Sequence, residues 1–513
     1  MNQLSLFVKV IAAVLAVLVL LSLSACSGNT ADPAPDSTTD PALAAETSAD
    51  SAEASADTTE TPTEASTEAK RLSESDITVS DTIENTADSE HAITADGETA
   101  SYSQTKVLKT GDSDSGDEAD FYGDNAAIFA TNSATLDLSG MVIDTDGFHA
   151  NAVFSYGEGT TVNISDSYIK TTGNCSGGLM TTGGGTMNAS GLTVETSGNS
   201  SAAIRSDRGG GDVNVSGGYY STSGTGSPVI YSTADITVDD ATLVSTASQG
   251  VVVEGKNSVT LNQVDLTADN NTKNSDKSEW YQAVMIYQSM SGDADQGASS
   301  FTMNGGTLTN LNGDIFFVNN TATDITLSGA AIVNNDSDGV FLRAAAAGWG
   351  SEGSNGGQVN LNASEQTISG DMIVDDISVL NLYLSDASVF TGAINRDGQA
   401  GDVYVELTAG SKWTLTGDSY ITSLSCGADS IDFNGYTLYV DGKAYTAGSA
   451  STGQAIEIKV SSSSGGHDGG GTPPEKPDGD GGHQPNGTPP EKPDGDSGHQ
   501  SDGTPPEKPD SAG

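Results

Sequence analysis

The stretch TLDLSGMVI at 135–143 returns, with its spacing intact, as TVNISDSYI at 161–169, TMNASGLTV at 186–194 and DVNVSGGYY at 212–220. It returns again as DITVDDATL at 235–243, SVTLNQVDL at 258–266, SFTMNGGTL at 300–308 and DITLSGAAI at 324–332. The second and fourth residues of every copy are apolar, from Leu136 and Leu138 to Ile325 and Leu327. The sixth is Gly or Asp in most copies, and the ninth returns to bulk, from Ile143 to Ile332. Apolar residues alternating with Thr, Ser, Asn and Asp place one face of a strand in a core and the other in water. A second short apolar run precedes most copies: AAIFA at 126–130, NAVFS at 151–155, AAIRS at 202–206, PVIYS at 228–232 and GVVVE at 250–254. Each unit therefore reads as strand, corner, strand, Gly or Asp corner, strand. One such unit cannot bury its apolar face alone, so the copies must stack. The 62 glycines, and the lack of any long stripe of helical period, argue against a helical repeat.

The expected architecture is an all-β, right-handed parallel β-helix over 73–464, with main repeats at 126–343 and looser terminal rungs and a cap at 359–460. Twelve or so rungs at about 4.8 Å would make a rod of roughly 60 Å. Trp413 with Tyr436, Tyr439 and Tyr445 is expected to close the far end, where bare backbone needs cover.

The chain carries 70 acidic against 19 basic residues in 513, a formal charge of −51. That balance excludes nucleic acid as a partner, because phosphate binding needs clustered Lys and Arg. It suits solubility, or divalent cation binding. Cys175 and Cys426 fall in early and late rungs, too far apart to join each other, since a disulfide needs Cα atoms within about 7 Å. Both read as small core residues with no redox role.

Residues 1–25 read as a secretion signal, with Lys9 ahead of an apolar run from Val10 to Leu23. It closes on Leu23-Ser24-Ala25-Cys26, which resembles the bacterial lipobox. The resemblance implies cleavage before Cys26 and diacylglycerol on its sulfur, so that a lipid anchor makes the membrane surface a partner. Residues 26–72, built of Ala, Ser, Thr, Pro and acidic side chains, bury too little to offset their ordering entropy and read as a disordered stalk. At 465–513, GTPPEKPD recurs at 471–478, 487–494 and 503–510, an extended, disordered tail. Its His467, His483 and His499 are open to weak metal capture or to simple solvation.

Chemistry on such a coil belongs in long corner insertions. Three leave one corner and should line up along one edge. They are Arg205-Ser206-Asp207-Arg208 with the glycines after it, Gln288–Ser299, and Ala344–Gln358, which follows Arg343 and contains Trp349. A separate insertion, Asp269–Tyr281, adds Trp280 and Tyr281. Aromatic faces suit sugar rings, with Arg and Asp beside them for the hydroxyls. Trp280, Tyr281, Arg343, Trp349, Arg205 and Arg208 are therefore a candidate glycan site; the same rings also fit plain loop packing. In GDSDSGDEADFYGDNAA at 111–127, Asp112, Asp114, Asp117, Asp120 and Asp124 are candidate Ca2+ ligands, or an acidic turn, since the EF-hand pattern is not matched. No catalytic residues are assigned. His149 is the one histidine between His91 and His467, and the nearest match to a lyase base is Arg205 and Arg208 beside Asp207, although arginine holds its proton.

Several stretches resemble clostridial-type adhesin-like surface proteins: KTGDSDSGDEADFYGDNAAIFATNSATLDLSG at 109–140, DGFHANAVFSYGEGT at 146–160, SKWTLTGDSYITSL at 411–424 and GYTLYVDGKAY at 435–445. The resemblance implies a pectin-lyase-like β-helix displayed on Gram-positive anaerobes, with no catalytic residues to carry over. The expectation is a lipid-anchored surface module that binds a polysaccharide or a host or matrix glycan without turnover. The alternatives are a polysaccharide lyase or hydrolase acting on an acidic glycan, or a structural surface protein without a specific ligand.

Overall fold

The computed structural model describes residues 71–460, Ala409 excepted. The signal segment, the lipobox with Cys26, the stalk as far as residue 70 and the Pro-rich tail lie outside the described residues. What is described is a parallel β-helix. Each turn gives one strand to each of three sheets, as in Val142–Thr145, Val153–Tyr156 and Thr161–Ser165. The first sheet has 10 strands, the second 11 and the third 14.

The repeat is the register of this stack. In the third sheet Leu136 pairs with Val162, and the column continues through Met187, Val213, Ile236, Val259, Phe301 and Ile325. Leu361, Leu382, Val405 and Leu424 extend it past the last clear copy, without a break in register. The bulky ninth positions make the matching column of the first sheet, from Ile143 through Ile169 and Tyr220 to Ile332. Nearly all these side chains are fully buried and belong to one continuous core. Stacking thus converts a face that no single rung could cover into a core several rungs long.

Corners stack as tightly as strands. Gly147, Gly173, Gly198 and Gly224 follow one another between the first and second sheets. A Cβ on Gly198 would fall 1.8 Å from the carbonyl oxygen of Gly173, and one on Gly224 would fall 1.9 Å from that of Gly198. Beside them runs a serine column. Ser176 Oγ donates to Gly147 O at 2.8 Å and Ser227 Oγ to Gly198 O at 2.8 Å. Each hydroxyl also accepts from the rung before, Ser176 from Ala150 N at 2.9 Å and Ser227 from Ser201 N at 2.9 Å. Backbone polar groups at the bends are thereby satisfied where no strand ladder reaches them.

Both ends depart from the repeat. Leu72 is already buried and donates its N–H to Thr193 Oγ1 at 2.7 Å, so the chain docks on the coil where the stalk was expected to finish. At the far end Trp413 is wholly buried, stacked on Phe390 at 5.5 Å, and therefore fills the core instead of covering it. Parallel stacking stops because the last pairs are antiparallel: Leu438–Val440 with Lys443–Ala444, and Ser423–Cys426 with Ser451–Thr452. An antiparallel strand occupies the free edge and offers no further register. Tyr436 stays exposed. Cys426 is a buried free thiol and Cys175 is buried as well, as expected of small core residues.

Replacing Gly198 with alanine should lower the midpoint of thermal unfolding, with a cost of about 1–3 kcal/mol, the range for overpacked sites. An unchanged melting temperature for Gly198→Ala would refute the steric column.

Candidate functional site

The outward face of the second sheet breaks the rule that outward means wet. Its central column runs Phe129, Phe154, Met180, Arg205, Tyr231, Val252, Met285, Phe317 and Arg343, each paired with the next. The apolar members are buried on this face as thoroughly as the core is on the other. The cover comes from insertions at both corners. From one side come helix α1 (Gly116–Tyr122) and the loop at 269–281; from the other come the loops at 288–297 and 345–357. They close two apolar patches separate from the main core, one around Phe129, Phe154 and Met180, the other around Met285, Tyr287 and Phe317.

Helix α1 lies in the segment read above as an acidic turn or calcium loop. Ser115 caps it, accepting from Glu118 N, and Gly123 ends it at φ 75. Ser115 and Glu118 form the S-x-x-E signature of a helix start, so its signal was present in the sequence. The helix turns Asp120 inward, where His149 Nδ1 lies 3.0 Å from Oδ1 and Arg205 Nη2 lies 3.5 Å from Oδ2. Arg205 Nη2 also donates to Asp207 Oδ2 at 2.9 Å. Two buried carboxylates thus share one buried guanidinium. Arg208 reaches along its own corner to the 288–297 loop, donating to Asp293 Oδ1 at 2.8 Å, while its guanidinium lies 3.8 Å from the centre of the Phe121 ring of helix α1.

Burial works against the charge on Arg205, yet the fields of Asp120 and Asp207 outweigh it and hold its pKa above the ordinary value. Burial likewise pushes the Asp207 carboxyl up to about 7, against the pull of Arg205 and with the nearby Asp293 and Asp120 charges adding to the rise. Next along the sheet Glu254 is fully buried and accepts from the hydroxyls of Tyr231, Tyr287 and Ser289. Burial first, and then this carboxylate, raise both tyrosines well above their ordinary pKa.

The predicted aromatic residues meet here. Trp280 packs on Phe317 at 5.6 Å between ring centres and carries the Arg343 guanidinium at 4.6 Å; Arg343 in turn donates Nε–H to Asp314 Oδ2 at 2.6 Å. Trp349 meets Tyr287 edge-on at 5.2 Å, and Lys273 lies 4.8 Å over Tyr281. The rings are partly buried, so loop packing is one of their jobs. Trp280, Tyr281 and Trp349 nevertheless line an open cavity of about 100 Å³, which adjoins one of about 200 Å³ lined by Arg205, Asp207, Asp117, Asp120 and Asp293. The two share Gly226, Pro228, Tyr231, Asn274 and Tyr287, and so form one trough. The insertions do line up along one edge, as the Arg208–Asp293 bridge between two of them attests.

The five candidate calcium ligands do not gather. Asp114 and Asp117 are exposed, Asp112 accepts from Phe148 N at 2.7 Å, Asp120 faces Arg205, and Asp124 Oδ1 is buried without a hydrogen-bond partner. Among the described residues no group of three acidic, His or Cys side chains is placed to hold a metal ion. His149 is buried and bound to Asp120, as a satisfied corner histidine would be.

Sequence reasoning missed Glu254, Tyr231 and Tyr287, which look like ordinary strand residues until the loops bury them. It also missed a shallow groove of about 600 Å³ over the third sheet. There Asn163 donates to Asp137 at 2.8 Å, Asn188 to Asn163 at 2.9 Å and Asn214 to Asn188 at 3.1 Å. These side chains already satisfy one another, which fits a stacking role. No family model, no curated protein and no solved structure matches this chain.

Because the fold raises the Asp207 pKa, its protonated form is favoured when folded. The associated stability is complete below about 4 and is lost as pH rises through about 7. Raising the pH across that window should lower the melting temperature, and Asp207→Asn should flatten the fall. An identical pH profile for wild type and variant would refute the assignment.

Proposed function

We propose that this protein is a glycan-binding module displayed at the bacterial cell surface, adhesin-like in the sense of the surface proteins it resembles and held to the membrane through a lipidated Cys26. The observation that carries the reading is the trough on the second sheet. Its aromatic walls, Trp280, Tyr281 and Trp349, stand beside the side chains of Gln249, Lys273 and Asn274. Binding sites for small polar ligands pair apolar or aromatic surface with a few placed polar groups, and sugars need both. The solenoid is a rigid scaffold, and the insertions at its corners are the natural place for recognition. The formal charge of −51 supports the exclusion of nucleic acid.

A hydrolase has one observation in its favour, the pair Asp120 and Asp207 around one guanidinium with Asp207 pushed up to about 7. Release of soluble oligosaccharide from any bound glycan would move the conclusion to that reading.

The full chain, screened on a glycan array and then titrated calorimetrically, should bind saturably and release no product. Trp280→Ala and Trp349→Ala should each weaken binding by about tenfold or more, as removal of an aromatic anchor does. Unchanged affinity in both variants would sink the site. In cells, Cys26→Ser should move the protein from the membrane fraction to the medium, and a variant that remains in the membrane fraction would refute the lipid anchor.

A further inference from the structure

The aromatic half of the trough has a chemistry of its own. It is the smaller half, about 100 Å³ against about 200 Å³, a space for a substituent on a sugar ring rather than for the ring itself. Val252 and Met285, neighbours in register on the second sheet, line its apolar side, and Trp280 and Trp349 pack against them. Among the described residues no carboxylate lines it. Its one charged side chain, Lys273, already donates to the carbonyls of Ser278 at 3.0 Å and Glu279 at 2.6 Å. The polar groups left to meet a ligand are neutral amides. Gln249 is half-buried in the wall; its Oε1 accepts from Ser248 Oγ at 2.6 Å, whereas the acceptor for its Nε2 is the Met285 thioether, at 3.9 Å. A thioether accepts weakly, so a ligand oxygen gives this donor a better partner. Asn274 is exposed and lines both halves, at the junction between them.

We propose that this half of the trough recognises the acetamido group of an N-acetylated amino sugar. The methyl group packs on Val252 and Met285, the carbonyl oxygen accepts from Gln249 Nε2, and the amide N–H donates to Asn274 Oδ1. The sugar ring then lies against Trp280 and extends toward the larger cavity. An acetamido group joins a methyl, an acceptor and a donor in one small planar unit, which matches an apolar wall with two neutral amides beside it. A hydroxyl in its place covers none of that wall. A free ammonium brings a charge that no carboxylate of this half balances. An O-acetyl ester keeps the methyl and the carbonyl and lacks the N–H.

This inference rests on the glycan-binding reading, and the test separates the two. The full chain is titrated calorimetrically with N-acetylglucosamine oligomers and with glucose oligomers of the same linkage and length, which carry a hydroxyl where the others carry the acetamido group. The N-acetylated series should bind about tenfold or more tighter, the scale of one filled apolar pocket with its hydrogen bonds. Gln249→Leu keeps the bulk of the side chain and removes its amide, and Asn274→Ala alters an exposed loop residue. Each should remove most of the difference between the two series, and the second variant guards against a folding defect in the first. A preference that survives intact in both variants would overturn the inference, because the acetamido group would then bind elsewhere. Equal affinity of the two series for the wild type would overturn it and leave the glycan reading standing, as would silence from both beside saturable binding of another glycan. Silence from every glycan overturns both.

Discussion

The structure depends on the in-register stacking of one inward column, from Leu136 through Val162 and Phe301 to Leu424. A rung has no core of its own; its two or three inward side chains are covered only by the rungs above and below. The burial of each therefore depends on every neighbour keeping the same phase, because a slip of one residue would turn the whole apolar set to water. This constraint explains why insertions occur only at corners. Residues 269–281 and 345–357 add long loops, yet Val259 still pairs with Phe301 and Ile325 with Leu361.

Freedom at the corners creates the second buried layer. Once helix α1 and three loops fold over the outward face of the second sheet, that face can carry Phe154, Met180 and Phe317 without exposing them. The same cover removes water from Arg205, Asp207 and Glu254. Desolvating these groups is costly, and such clusters persist where partners are close and well placed. Arg205 has two carboxylates, and Glu254 has three hydroxyls. The cover is thus held down partly by ion pairs that are buried only because it is there. Asp120 from the helix and Asp293 from a loop close on arginines of the sheet and its corner.

The stack was legible because its signal repeats. The apolar positions from Thr135 to Ile332 match the observed register rung by rung, and the three insertions at one corner were visible as departures from it. What was hidden has no period. Helix α1 carries only a capping pair and a terminal glycine, in a segment dominated by aspartates that suggested a metal loop. Asp120 could be read as a surface ligand until the helix turned it inward. Arg205 and Tyr231 look like solvent-facing strand residues by alternation, and only long-range loop packing covers most of each. The end of the coil was misjudged at Trp413 for a related reason. An aromatic near a terminus suggests a cap, whereas the stop comes from antiparallel pairs that replace parallel ones.

Strict periodicity and chemical variety are in tension on such a coil, and this chain separates them by face. On the third sheet the repeat is unbroken, and its outward Asn and Asp side chains engage one another along the stack, which leaves few groups unpaired for a ligand. On the second sheet the repeat is interrupted by loops, and there the outward column changes from Phe154 through Arg205 and Tyr231 to Phe317 within a few rungs. At the usual strand spacing the four steps from Arg205 to Phe317 cover about 19 Å along the axis. That length exceeds one sugar ring, and the chemistry changes along it from carboxylate-rich to aromatic. A polymer lying there would be read in direction as well as in composition. The face that keeps the coil in register and the face that carries the trough are therefore different, so loops on one can vary while the other holds the stack.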